Sequence, residues 1–312
     1  MKKILCVGNA CVDVTVRPVD EQPELGKLKM VESIQMKVGG CAANTATDLA
    51  RLGAEVSVCA AVGEDAFGDF ILSELIRENL QTGGIKRLTG VSSAASVVTI
   101  SSSKERSFWH VPGAADLYTP AEIPKHELER CDILFLTAAL IMKGFDGEPA
   151  AALLKQAKEN GKITVMDTCW DSEGIWIDKI AAALPYLDFF IPSIEEAEML
   201  AGTSEVDAIC DRFMASGVRN VIIKMGARGA YVSEAGGARY CSAAFERTDI
   251  VDTNGAGDAF CAGFLCALAK DLPLKECVRY ANATGSFCVT GAGPSSGIPS
   301  MTEVETFLNA HR

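Results

Sequence analysis

Short, uninterrupted apolar runs recur along this chain with helix-like stretches between them, and that alternation restricts the fold more than any other feature. Residues 4–7, 56–62, 133–137, 163–166, 189–191 and 221–223 are continuously apolar or nearly so. Such runs suit strands covered on both faces, the condition met in a parallel sheet. Between them lie stretches of helical character at 41–52, 67–78, 147–159 and 174–184, with a helix from about Ala256 and another over 274–289. The expectation is an α/β fold: a mostly parallel central sheet with helices on both faces.

Two segments stand outside this pattern. Residues 15–38 mix Pro18, Pro23 and Gly26 with short β-like pieces, and residues 95–100 lead through a charged Lys104-Glu105-Arg106 turn to Ser107-Phe108-Trp109-His110. Both are too polar for a core. A surface hairpin accommodates them, and Phe108 and Trp109 in polar surroundings point to a contact surface.

The chain has 312 residues, 48% hydrophobic and 22% charged, a composition of ordinary globular domains. Its net charge of -12 repels nucleic acid and anionic membrane, so a polyanionic ligand has to be small and bound at a local site. None of the 12 cysteines forms a Cys-x-x-Cys pair, and most lie in apolar runs where a free thiol behaves as a small hydrophobe. No apolar stretch reaches membrane-spanning length and the N-terminal run is too short for a signal peptide, so a cytoplasmic protein with reduced cysteines is expected. His110, His126 and His311 are too scattered for a metal cluster or a histidine-based triad.

The chemistry concentrates in Val251-Asp252-Thr253-Asn254-Gly255-Ala256-Gly257-Asp258, which runs into the small-residue helix Ala259-Phe260-Cys261-Ala262-Gly263. Gly255 and Gly257 permit a tight turn, and the first N–H groups of the helix have no intrahelical partner, so an anion is a natural occupant. Asp258 is then out of place unless it takes a proton from a hydroxyl that attacks phosphorus; the plainer alternative is an acid complementing the helix dipole. Elsewhere, Asp13 follows the first strand and reads equally well as a turn residue or a ligand contact. Gly39-Gly40 precede a helix that carries Asn44. Asp167 closes a strand, as a cap or as a ligand contact. Glu196 lies in an acid-rich first helical turn, and Lys224-Met225-Gly226-Ala227-Arg228-Gly229 reads as a turn between strands.

Asp252 to Asp258 resembles the C-terminal signature of the ribokinase-like, or phosphofructokinase-B, carbohydrate kinases, and Gly39-Gly40 with Asn44 resembles their N-terminal signature. The resemblance runs nearly end to end. It implies a three-layer α/β sandwich over residues 1–312 as a single kinase domain, with a small β-sheet lid inserted at about 14–38 and 94–112. It also implies transfer of the γ-phosphoryl group of ATP to a carbohydrate hydroxyl. Asp258 would be the general base, and Gly255, Ala256 and Gly257 would hold the transferring group. Asp13, Gly39, Gly40 and Asn44 would bind the sugar, and Lys224, Gly226, Gly229, Asn254 and Asn282 would bind the nucleotide. Glu196 would serve Mg²⁺ through water, with Ser193 standing where the family has Asn. Asp252 and the Gly291-Ala292-Gly293 loop would serve a monovalent cation such as K⁺, and the lid would pair two subunits into a homodimer. A nucleoside kinase of the same family and a catalytically silent binding homologue are the alternatives. The acceptor stays open: the segment from Leu136 to Met142 lacks the acid that ribokinases carry there, while Lys37, Arg106 and Lys143 are available to an acidic sugar.

Overall fold

A computed structural model describes residues 1–103 and 105–311; Lys104, in the charged turn of the second outlying segment, and Arg312 lie outside the described residues. Nine strands form the main sheet. In chain order they are β1 (Ile4–Val7), β4 (Val56–Gly63), β5 (Ile85–Leu88), β8 (Ile133–Ala139), β9 (Ile163–Thr168), β10 (Phe189–Phe190), β11 (Asn220–Lys224), β12 (Ala230–Ser233) and β13 (Arg239–Ser242). Four more, β2 (Cys11–Arg17), β3 (Ser33–Gly39), β6 (Ala94–Ile100) and β7 (Arg106–Val111), form a separate small sheet.

The main sheet has the order β13-β12-β11-β10-β9-β8-β1-β4-β5. Its pairings are parallel from β5 through to β11, and only β12 and β13 run antiparallel, at one edge. Strand periodicity divides each apolar run between two cores. Ile4, Cys6, Ile133 and Phe135 face one side, while Leu5, Val7, Leu134 and Leu136 face the other. The first core is closed by helices Cys41–Arg51, Ala66–Arg77, Ala256–Ala269, Leu274–Cys288 and Met301–Ala310. The second is closed by Glu148–Glu159, Ile194–Ala201 and Val206–Ala215. That gives three layers, as expected of runs buried on both faces.

One expected helix is absent. Residues 174–184 hold only short 3-10 turns, Trp176–Lys179 among them. The reason is Trp176, whose φ of 56° is a left-handed conformation that an α-helix does not hold; the Asp171 carboxylate fixes it there by accepting hydrogen bonds from the N–H groups of Glu173, Ile175 and Trp176. Lys179 is buried against Asp171 and Glu173 and donates to Leu140 O, which fixes the loop.

The small sheet has the order β3-β2-β6-β7, with β2 and β6 parallel and the outer pairs antiparallel. Its register sorts the side chains. Asp13 stands opposite Lys37 and Ser96, and Ser96 opposite His110, so these share one face. Val14 stands opposite Met36 and Val97, and Val97 opposite Trp109, so these share the other. Asp13 is therefore a strand residue and not the turn residue that one reading of the sequence allowed. Phe108, opposite Val98, falls on the face of Asp13, whereas Trp109 falls on the opposite one.

Candidate active site

The carboxyl ends of the parallel strands, the start of helix Ala256–Ala269 and the polar face of the small sheet converge on two neighbouring cavities. One, of about 620 Å³, is lined by Cys41, Asp167, Glu196, Lys224, Gly226 and the Gly255–Asp258 turn. The other, of about 420 Å³, lies against the small sheet and is lined by Asp13, Gln35, Lys37, Arg106, Asp252 and Asn254. Thr253 borders both, so the turn that opens the helix is the partition between them.

That turn needs its glycine. Gly255 is the helix N-cap with φ 78°, and a Cβ there would collide with Pro294. No side chain caps this helix, which leaves its first N–H groups turned to the cleft. Asp258, in the first turn, is half-buried, and its Oδ2 accepts a 2.8 Å hydrogen bond from Asn44 Nδ2. Loss of solvent pushes its carboxyl up to about 7, with Asp167 adding to the rise, while Asn44, Lys224 and Cys41 oppose it. Asn44 reaches it from helix Cys41–Arg51, whose first N–H, on Cys41, is held at 2.8 Å by the Asn9 side chain.

At the floor of the larger cleft, Lys224 Nζ is held by both oxygens of Asp167, at 2.6 and 2.8 Å, and faces Gly257. Burial works against the charge on Lys224, but Asp167, Cys261 and Glu196 outweigh it and hold the ammonium well above its usual pKa. Glu196 completes a capping box at the start of helix Ile194–Ala201: Ser193 Oγ accepts from Glu196 N, and Glu196 Oε2 accepts from Ser193 N and from Thr168 Oγ1. Its other oxygen accepts no hydrogen bond among the described residues, and burial raises its carboxyl. Gly226 lines the cleft, whereas Gly229 packs against the backbone after β13. Asn282 is a buried tie whose Nδ2 donates to the carbonyl and hydroxyl of Ser242. It borders neither cavity.

On the small-sheet side, Asp13 is buried, and burial raises its carboxyl against hydrogen bonds from Ser96, Cys11 and Asn254. Gly39 lies beside it so closely that a Cβ would collide with the carboxylate. Gly40 forms the N-cap of the helix that carries Asn44. Asn254, expected near the nucleotide, instead borders the cavity of Asp13. The small sheet is latched to the turn and the loop after it. Arg106 reaches Asp252 and Thr253, and Lys37 reaches Ala292 O. Asp252 Oδ1 also accepts from Asn254 N at 2.9 Å, and Oδ2 from Gly293 N at 3.0 Å. Lys143 points elsewhere, toward Asp116 and Glu173, and segment 136–142 does not line the small-sheet cavity.

Two contributors were hidden in the sequence. The pairing of Asp167 with Lys224 joins residues far apart in the chain, and only its position at a strand's carboxyl end marked Asp167. Asn9 carried no signal beyond following Gly8 at the end of the first apolar run.

With this geometry in place, comparison with known proteins gives one consistent answer. Residues 1–301 match the profile of the pfkB family carbohydrate kinases. The 2-dehydro-3-deoxygluconokinase of Bacillus subtilis is 28% identical over 304 residues, covering 93% of this chain and 92% of that protein. An Arabidopsis thaliana ribokinase solved with ribose and ATP superposes with a TM-score of 0.86 at 24% identity, covering 98% of both chains. An E. coli chain solved with ATP and Mg²⁺ gives 0.84 at 22% identity, covering all of both. Both superpose over essentially the whole chain, so this chain has their fold. The chain belongs to the pfkB family of carbohydrate kinases, phosphotransferases with an alcohol group as acceptor.

Proposed function

We propose that the chain phosphorylates a hydroxyl of a small carbohydrate from ATP, with Asp258 as the general base. The observation that carries this reading is the position of the Thr253–Asp258 turn between two cavities. One presents hydroxyl-binding groups, Asp13 and Asn254; the other presents an uncapped helix start, Lys224 and a free carboxylate oxygen on Glu196. An acceptor on the small-sheet side and the ATP phosphates in the larger cleft then meet at Asp258, which transfer in line requires.

Asp13 orients the acceptor, with Gly39 packed against its carboxylate; Gly40 and Asn44 line neither of the two cavities and act through the helix that Gly40 caps and that carries Asn44. Asn44 also aims the Asp258 carboxylate through their hydrogen bond. Asp258 takes the hydroxyl proton as the oxygen attacks, and the N–H groups of Gly255, Ala256 and Gly257 stabilise charge on the transferring oxygens. Lys224, fixed by Asp167, adds positive charge beside Gly257. The open oxygen of Glu196 fits Mg²⁺, a hard cation that keeps most of its waters and neutralises phosphate charge when bound. A monovalent cation at Asp252 and the loop after it would take carbonyl oxygens as ligands, since the Asp252 carboxylate is engaged by the N–H groups of Asn254 and Gly293 and by Arg106.

The small sheet serves in this reading as a lid within a single kinase unit, latched by Arg106 and Lys37. Its outer face exposes Ile34, Met36, Val97, Trp109 and Val111, an apolar surface that suits pairing with a second lid in a homodimer. Twelve free cysteines accord with the reducing cytoplasm. Arg17, Lys37 and Arg106 line the acceptor cavity beside Asp13, Glu32 and Asp252, so its charges balance and the acceptor class is left to the assay.

The test is acceptor-dependent ADP release from MgATP across pentoses, hexoses, keto-deoxy sugar acids and nucleosides. A single acceptor class that yields a phosphorylated product supports the reading. ATP binding without turnover on any acceptor sinks it in favour of a silent homologue.

A further inference from the structure

We propose that Cys41 and Cys169 are a redox modification site: a thiol pair that small-molecule disulfides convert into an intramolecular cross-link at the rim of the larger cleft, arresting turnover. Their Sγ atoms are 3.3 Å apart although the residues are 128 positions apart in sequence. A disulfide needs a separation of about 2.05 Å, so the two sulfurs already stand within about 1.3 Å of bonding distance. Both residues stand at element ends that the fold holds together. Cys41 opens helix Cys41–Arg51, with its N–H bonded to Asn9 Oδ1, and Cys169 directly follows β9, with its N–H bonded at 2.9 Å to Ala139 O.

Access separates this pair from the other cysteines. Cys6, Cys11, Cys59, Cys131, Cys210, Cys261, Cys266, Cys277 and Cys288 are buried, and Cys241 is exposed on β13 with no thiol partner. Cys41 and Cys169 are each partly exposed, and Cys41 lines the cleft through which a reagent enters. Their roles differ. Contact with Cys169, followed by burial, holds the Cys41 thiol in its protonated form, so the sulfur that attacks first is that of Cys169; either sulfur can be the donor in their 3.3 Å contact.

The reaction balances with a disulfide such as oxidised glutathione as the oxidant. The Cys169 thiolate attacks one sulfur of the reagent, forming a mixed disulfide and releasing one glutathione thiolate. Cys41 then gives up its proton, with the Asp258 carboxylate beside it as acceptor, and its sulfur attacks that of Cys169. The second glutathione thiolate leaves. The two cysteines are oxidised by the loss of two hydrogens, and the reagent is reduced to two thiols.

Turnover is affected because Cys41 faces the Asp258 carboxylate and begins the helix that carries Asn44, which holds that carboxylate. The cross-link removes the thiol from Asp258 and draws the helix start toward the strand end that bears Asp167. This consequence rests on the reading of Asp258 as the base; formation of the cross-link does not.

The experiment incubates the reduced full-length protein with oxidised glutathione, alkylates the remaining thiols under denaturing conditions, and maps the peptides while ADP release is followed in parallel. The expected result is a peptide joining Cys41 to Cys169, two hydrogens lighter than its parts, appearing as activity falls and vanishing as dithiothreitol restores it. Cys169→Ser should retain its turnover in the presence of the reagent. Accumulation of Cys169–glutathione without the joined peptide overturns the proposal, as does equal inactivation of Cys169→Ser. A joined peptide with unchanged turnover overturns the arrest. Should the reduced protein show no kinase activity on any acceptor, the function reading fails, while the joined peptide still decides whether the site exists.

Discussion

Replacing Asp258 with Asn removes the base while keeping the shape of the side chain and an oxygen for Asn44 to donate to. Loss of a positioned general base costs ~10²–10⁴-fold in turnover, and ATP binding should change little because the helix N–H groups and Lys224 remain. The wild-type pH profile carries an independent signature. With a carboxyl pushed up to about 7, the active carboxylate falls to about a tenth of the molecules one pH unit lower, so turnover should climb through neutrality and level off above it. Stability moves the other way. Between the ordinary value of 3.8 and about 7 the folded protein binds a proton that the unfolded chain has lost, so this group costs stability as pH rises through that window. The Asn variant escapes that cost, and its melting temperature should exceed that of the wild type by more at about pH 8 than at about pH 5. Turnover, pH profile and melting curves on both proteins constitute the assay. Turnover within ~3-fold of wild type refutes the role of Asp258. A large loss accompanied by a lower melting temperature at every pH would refute the reasoning as well, since the variant would then be failing through its fold.

Three further outcomes follow from other parts of the structure. Asp167→Ala leaves the Lys224 ammonium in a buried site without its main partner and should cost ~3–5 kcal/mol in urea unfolding; unchanged stability would mean the pair is not formed. Gly39→Ala places a methyl group against the Asp13 carboxylate and should raise the KM for the acceptor while sparing that for ATP, whereas equal effects on both would show that Asp13 does not face the acceptor. Trp109→Glu puts a charge in the apolar outer face of the small sheet, where Trp109 is 51% and Ile34 66% exposed. Sedimentation should show it as a monomer beside a dimeric wild type; a monomeric wild type would dismiss the lid-to-lid contact.

The parts legible in the sequence are those whose signal is local. Ile4 to Val7 and Ile133 to Ala139 are apolar at every or nearly every position because both sheet faces are covered, and they are strands. Gly255 and Asp258 stand out because the turn requires a left-handed residue, and because a carboxylate beside an anion site is repelled by the occupant unless it takes a proton there. What stayed hidden is set by partners distant in the chain. Nothing near Asp167 announces Lys224, and nothing near Arg106 announces Asp252. Asn254 belongs to a string that suggested phosphate, yet the turn directs it toward Asp13. Residues 174–184 have helical composition, but Trp176 is left-handed at φ 56° and Asp171 ties the backbone there into a loop, which periodicity does not register.

The central claim is that the acceptor hydroxyl and the transferring phosphoryl group meet at Asp258. It is tested most directly by a crystal structure of the protein with a non-hydrolysable ATP analogue, Mg²⁺ and the acceptor identified by turnover. The account predicts an acceptor hydroxyl within about 3 Å of the Asp258 carboxylate, with the terminal phosphate against Gly255 to Gly257. An acceptor seated away from Asp258, or a terminal phosphate remote from that turn, would contradict it.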